Sequence, residues 1–131
     1  MSDLIYREII LDHYKNPRNF GLIDDADATM EESNVTCGDK VKYFVKIEDG
    51  IITNIKFVGR GCAISMASSS ILTELVKGKS VDDVIKMTKD DIIESLGNPI
   101  LGPNRIKCAV LPYKVLKSAL IHYISEHPQK S

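Results

Sequence analysis

Three cysteines and one aspartate carry most of the chemistry in this sequence. Cys37 stands in Thr36-Cys37-Gly38-Asp39, Cys62 follows Gly59-Arg60-Gly61, and Cys108 follows Arg105-Ile106-Lys107. An odd number of widely spread cysteines argues against a disulfide framework. A buried thiol is the plain alternative, since free cysteine is among the most buried residue types. The settings argue otherwise, because each cysteine falls where one predicted element gives way to the next. Cys37 follows a strand, Cys62 opens an Ala/Ser-rich helix, and Cys108 lies between a Gly/Pro loop and the last helix. Loop ends are exposed, and free backbone N–H groups at a helix start favour thiolate over thiol.

Asp39 adds a fourth ligand-capable group. Three thiolates and one carboxylate can form a tetrahedral zinc site or hold an iron-sulfur cluster with one harder ligand. Formal charge does not choose between these, since four anionic ligands leave the same net charge around a zinc ion and around a doubly positive cluster core. A carboxylate in place of a thiolate should make a cluster easier to release, because oxygen matches sulfide-bound iron poorly. Taken alone, Asp39 would read as an ordinary turn residue after glycine. Lys107 can lower the pKa of the Cys108 thiol or pair with Asp39 across the site; a solvated lysine is its plain reading. His13, His122 and His127 lack ligand spacing to any cysteine and read as surface or helix-face residues. Ser68-Ser69-Ser70 has no neighbouring base, so small residues permitting close helix packing are the simpler account.

The elements that must position these groups are legible from periodicity and punctuation. Ser2 or Asp3 caps a first helix reaching about Tyr14, and Asn16-Pro17 ends it, because a residue before proline avoids the helical region. Strands are expected over about Thr29 to Val35, Val41 to Ile47 and Ile51 to Val58, the last two joined by Asp49-Gly50, a strong hairpin signal. Val41, Tyr43, Val45 and Ile47 alternate with Lys42, Phe44 and Lys46, giving one buried face and one mostly wet face. Gly59-Arg60-Gly61 breaks the third strand. A helix then runs from Cys62 to a glycine cap at Gly78. Ser80-Val81-Asp82-Asp83 and Thr88-Lys89-Asp90-Asp91 resemble capping-box starts of two short helices, with aspartate replacing the usual glutamate. Residues 97–104 read as a loop, and a final helix carries Leu111 to Ile124 with Pro112 in its first turn. Strands flanked by helices indicate an α+β fold: a small three-stranded antiparallel sheet packed against helices, with the site at one end.

Composition bounds the function. With 131 residues, 44% of them hydrophobic, the chain is long enough for one domain spanning 1–131 that needs no staples. Seventeen Lys and Arg against eighteen Asp and Glu give a net charge of -1, so no basic field draws the protein to nucleic acid or anionic lipid. The N-terminal stretch has acids within its apolar run and no small-residue cleavage site, and no run of about 18 uncharged apolar residues occurs. A soluble, cytoplasmic protein is expected.

The order Asn16-Pro17-Arg18-Asn19, Thr36 to Asp39, Gly59 to Ser70 and Arg105 to Leu111 resembles the iron-sulfur cluster assembly scaffold family of IscU, SufU and the N-terminal domain of NifU. The likeness covers almost the whole chain. It implies a site of Cys37, Asp39, Cys62 and Cys108 for a transient [2Fe-2S] cluster or zinc. It also implies sulfur from a cysteine desulfurase, an electron donor such as a ferredoxin, and delivery to apo iron-sulfur proteins. A homodimer is compatible with it. The protein is then a scaffold or carrier rather than an enzyme; the alternative is a SufU-like zinc-dependent sulfurtransferase that accepts persulfide. Cys108 is the expected persulfide acceptor, with Lys107 supporting its thiolate. IscU-type proteins carry histidine where Lys107 stands, and a Leu-Pro-Pro-Val-Lys chaperone motif where this loop reads Asn98 to Lys107. SufU-type proteins are nearer in Tyr6 to Asn19 and Cys62 to Ser68, but carry a longer insertion between the second and third cysteines. Both branches stay open.

Overall fold

The computed structural model describes residues 2–34, 38–97 and 102–126. Its elements run α1 (Ser2–Lys15), β1 (Ala28–Asn34), β2 (Asp39–Glu48), β3 (Ile51–Arg60), α2 (Ala63–Val76), α3 (Val81–Ile85), α4 (Lys89–Ser95) and α5 (Pro103–Glu126). The strands form one antiparallel sheet in the order β1-β2-β3. The expected α+β architecture is therefore present. Asp49 and Gly50 turn β2 into β3 with φ of 53° and 77°, the left-handed values that a tight hairpin requires.

Packing follows the strand alternation. Val41, Tyr43, Val45 and Ile47 of β2 are buried with Ile55 and Phe57 of β3, against Leu72 and Val76 of α2 and Leu116 and Leu120 of α5. Each such side chain contributes about 1.5–3 kcal/mol by leaving water. A second cluster of Ile10, Ala67, Ile71, Leu96 and Ala109 fixes α1 and α4 to the outer sides of α2 and α5. Phe44 departs from the expected wet face: it is also buried, and the Lys42 ammonium lies 5.2 Å from its ring centre. The aliphatic stem and cation of lysine cover an aromatic ring that would otherwise face solvent.

Punctuation is realised in the caps. Gly78 takes φ of 89° just beyond the Lys77 cap of α2. At α4 the Thr88 hydroxyl accepts the Asp91 N–H while the Asp91 carboxylate accepts the Thr88 N–H, so aspartate completes the capping box. At α3 Ser80 accepts the Asp83 N–H.

Several boundaries differ from expectation, each at the site end. β2 starts at Asp39 rather than Val41, which makes Asp39 a buried strand residue facing Asn34, not a turn residue. β3 continues through Gly59 and Arg60. A Cβ at Gly59 would overlap the Lys40 carbonyl oxygen, so this glycine permits close strand approach instead of breaking the strand. α5 begins at Pro103, which uses the first-turn position open to proline. Pro112 then lies inside the helix, not in its first turn, and has no N–H to offer the Cys108 carbonyl four residues earlier. Val35, Asn98, Pro99, Ile100 and Leu101 lie outside the described residues. No described helix is long and apolar enough to cross a membrane.

Candidate metal centre

Three elements meet at one end of the sheet, and each brings one ligand-capable atom. Asp39 is the first residue of β2, Cys62 caps the N-terminus of α2, and Cys108 lies in the second turn of α5. A carboxylate oxygen of Asp39 and the sulfurs of Cys62 and Cys108 all lie within 4.8 Å of one another. Ligand atoms around a tetrahedral ion with bonds of about 2.3 Å sit about 3.8 Å apart. A modest side-chain adjustment therefore closes these three atoms on one ion.

The local chemistry favours a cation. Asp39 is fully buried; its Oδ1 accepts the Cys62 N–H at 3.0 Å, while Oδ2 has no partner. Gly61 lies flat against this carboxylate, and a Cβ there would overlap Oδ1. A buried carboxylate with an unpartnered oxygen and no cation is costly, so coordination would remove the cost. The Cys62 sulfur accepts the Ser65 N–H at 3.4 Å, the usual side-chain-to-N3 geometry of a cap with sulfur as acceptor. Two of the three ligand side chains are thus already held by backbone donors.

Cys37, the fourth residue expected here, lies outside the described residues. Gly38, between it and Asp39, has φ of 73°. Cys108 corrects the expectation of an exposed junction thiol: it is 2% exposed and sits within a helix, because that helix starts five residues before it. Lys107 points to solvent, and among the described residues no ion pair joins it to Asp39. Among the described residues no histidine joins the cluster. His122 lies beside Glu126 on the exposed end of α5, and His127 is outside the described residues.

The serine run proves to be a packed polar seam. Ser68 donates to the Ala109 carbonyl, Ser69 to the Ser65 carbonyl, and the buried Tyr43 hydroxyl reaches the Ser69 carbonyl at 2.8 Å. Ser70 Oγ meets His13 Nδ1 at 2.8 Å and accepts the Arg18 N–H at 2.8 Å, tying α1 and the following turn to α2. Burial, followed by repulsion from Arg18, holds the His13 pKa below its ordinary value. Small residues do allow the close approach, as expected, but their hydroxyls also satisfy backbone groups where helices cross. The fourfold recurrence of serine at Ser65, Ser68, Ser69 and Ser70 was the available signal.

Residues 5–130 match the model of the NifU-like N-terminal domain. The chain is 39% identical over 134 residues to the zinc-dependent sulfurtransferase SufU of Bacillus subtilis, covering 90% of each. It is 39% identical over 131 residues to the iron-sulfur cluster assembly scaffold protein IscU of Escherichia coli, covering 97% of this chain and 100% of that one. Among solved structures it resembles FiSufU of Fervidobacterium islandicum, a candidate cluster assembly scaffold of the SUF system. That likeness has a TM-score of 0.76 and 32% identity, covering 92% and 99% of the two chains.

Proposed function

The chain belongs to the family of NifU-like N-terminal domains, and on that premise we propose that it is a scaffold on which an iron-sulfur cluster is assembled and from which it is passed on. The observation that carries this reading is the convergence of Asp39, Cys62 and Cys108 with a buried carboxylate oxygen left unpartnered. Cys62, Cys108 and Asp39 serve as ligands to the cargo, and Cys37, two residues before Asp39, supplies the fourth. The cargo is a [2Fe-2S] cluster, with zinc as an occupant of the same four groups in protein that carries no cluster.

Each residue then has a task. Cys62 and Cys108 bind through sulfur from α2 and α5, two helices that pack together and so set the spacing. Asp39 is the exchangeable member: oxygen is the poorer match for iron, and while Oδ2 lets go, Oδ1 keeps its bond from the Cys62 amide. Sulfur comes from the persulfide of a cysteine desulfurase. Attack by a scaffold thiolate on the outer sulfur of that persulfide returns the desulfurase thiolate and leaves the sulfur on the scaffold. Two electrons from a donor such as a ferredoxin then convert it to sulfide. Cys62 is half-buried and Cys108 almost wholly so, which makes Cys62 the more open of the two described thiols to an incoming persulfide. Cys108, the persulfide acceptor expected from the sequence, is the less open of the two. The completed cluster passes to apo iron-sulfur proteins, in a cytoplasmic setting that keeps the thiols reduced.

The test is metal and acid-labile sulfide analysis with an absorption spectrum on anaerobically purified protein, followed by reconstitution with iron and sulfide and transfer to an apo-ferredoxin. Cluster formation and transfer are expected, with loss of both in Cys62→Ser and Cys108→Ser. Stoichiometric zinc, no cluster under any condition and persulfide uptake from a desulfurase would replace the scaffold with the sulfurtransferase.

A further inference from the structure

Two buried side-chain atoms among the described residues have no hydrogen-bond partner: Asp39 Oδ2 and Ser65 Oγ. Both belong to residues bonded directly to Cys62, one through the Cys62 amide and the other through the Cys62 sulfur. Asp39 is accounted for as a ligand. Ser65 is fully buried, and a buried hydroxyl left without a partner costs about 1–3 kcal/mol. It is also not a cap, since Cys62 already holds that position at α2.

Its direction can be read from its neighbours. Residues three apart lie on one side of a helix, and Ser68, one turn after Ser65, donates to the carbonyl of Ala109. Ala109 follows Cys108. The side of α2 that carries Ser65 is therefore turned toward the stretch of α5 that carries Cys108, while its first turn holds the Cys62 sulfur. Ser65 is sealed from water on the side of α2 that faces α5, with a proton to donate and no acceptor, sulfur included, within hydrogen-bond reach.

We propose that Ser65 is a positioning residue of the site: its hydroxyl donates a hydrogen bond to sulfur-borne negative charge when the site is loaded, and it fixes the Cys62 side of the cargo. The proposal rests on the reading that Cys62 and Cys108 are ligands. Its physical basis is the timing of charge. In the thiol form a sulfur is a weak acceptor, and the Ser65 hydroxyl gains little from it. A metal-bound thiolate is a far stronger acceptor than a thiol, and rotation of the unpartnered Ser65 hydroxyl toward it then gains a charge-assisted bond with no water to displace. Outer donors of this kind orient a ligand and shift charge away from it, and their loss typically weakens metal retention tenfold or more.

The test uses the whole chain and Zn²⁺ or Co²⁺ alone as probes, with three forms: wild type, Ser65→Ala and Ser65→Thr. Thermal melting of the metal-free protein comes first. Ser65→Ala is expected to melt at or above wild type, because it removes an unsatisfied buried hydroxyl and leaves the backbone N–H to Cys62 in place. Zinc affinity, measured by competition with a chelator, is expected to fall about tenfold. The sulfur-to-cobalt charge-transfer band of the Co²⁺ form is expected to shift, and Ser65→Thr, which keeps the donor, restores both. Equal zinc affinity and an unmoved band in Ser65→Ala overturn the proposal. So does a Ser65→Ala protein that is destabilised without metal, since the hydroxyl would then be supporting the fold. If wild type itself takes up neither ion, the ligand assignment falls first, and the two failures are distinguishable.

Discussion

Replacing Asp39 by alanine separates what the carboxylate does for the fold from what it does for the cargo. In the fold, Asp39→Ala removes one hydrogen bond from the Cys62 amide to a charged acceptor, worth about 1.5–3 kcal/mol. It also removes a fully buried carboxylate whose second oxygen is unpartnered, and holding such a charge out of water costs several kcal/mol. The second effect is the larger, so the metal-free variant is expected to be more stable than wild type by about 1–2 kcal/mol, a rise in Tm of about 4–7 °C for a chain of this size. For the loaded site, the carboxylate adds a fourth negative charge within 4.8 Å of two sulfurs. Two unit charges at that distance repel by about 3 kcal/mol at the effective dielectric of a protein. Releasing even half of that on mutation would slow loss of cargo about tenfold. The assay is anaerobic reconstitution, followed by the rate of transfer to an apo-ferredoxin read from visible absorption, beside a thermal melt of the metal-free protein. A variant that melts several degrees below wild type, or that transfers its cluster at the wild-type rate, would overturn this role for Asp39.

Two other perturbations test the surroundings of the site. Gly61→Ala places a Cβ into the Asp39 carboxylate and should cost about 1–3 kcal/mol in chemical denaturation. Gly102→Ala meets nothing within 4 Å and is the matched control, expected to be near neutral. His13 provides a pH signature. Its folded pKa is depressed, first by burial and then by Arg18, while Glu74 and Asp12 oppose the shift. The unfolded chain therefore binds the proton more readily over the interval below about pH 6.5, and stability should fall as pH drops through that interval toward the folded pKa. Denaturant midpoints across pH 7.5 to about 5 should show the loss in wild type. His13→Asn should flatten it, and an unchanged slope would remove His13 as the cause.

The three strands, the hairpin at Asp49-Gly50 and the capped short helices were legible because each rests on a local signal: period-two alternation, a left-handed pair, and serine or threonine three residues before aspartate. The errors share a physical origin in close approach between elements that are distant in sequence. Gly59 looks like a strand breaker until the Lys40 carbonyl is seen to occupy the space of its missing side chain. Pro112 looks like a helix start because nothing local reveals that Pro103 has already taken that role. Phe44 alternates into the wet face, yet it is buried there with a lysine from two residues earlier on the same strand over its ring. The ligand-capable groups were legible from residue type and placement, but their differing exposure was not. Burial of Cys108 follows from where α5 begins, and burial of Asp39 from the backward extension of β2.

The site's construction bears on why it could both hold and release a cluster. Its described groups come from a strand and two helices that are already packed, so Cys62 and Cys108 are presented at nearly fixed spacing and the ordering cost of assembling them is met in folding. Rigid thiolate sites of that kind normally retain metal. Asp39 differs in having two uses for its carboxylate, since one oxygen bonds to the Cys62 amide and the other is bare. Withdrawal from a metal leaves it with its amide bond intact and no need for the strand to move. The exchange thus falls on one side chain at the end of β2, and the framework that positions the sulfurs stays in place. A scaffold built this way would release cargo under the repulsion that the Asp39 carboxylate adds, the contribution that Asp39→Ala removes, with no requirement for local unfolding. Hydrogen exchange at the amides of β2 and α2 should then be the same before and during transfer, whereas a burst of exchange during transfer would show that the helices must open.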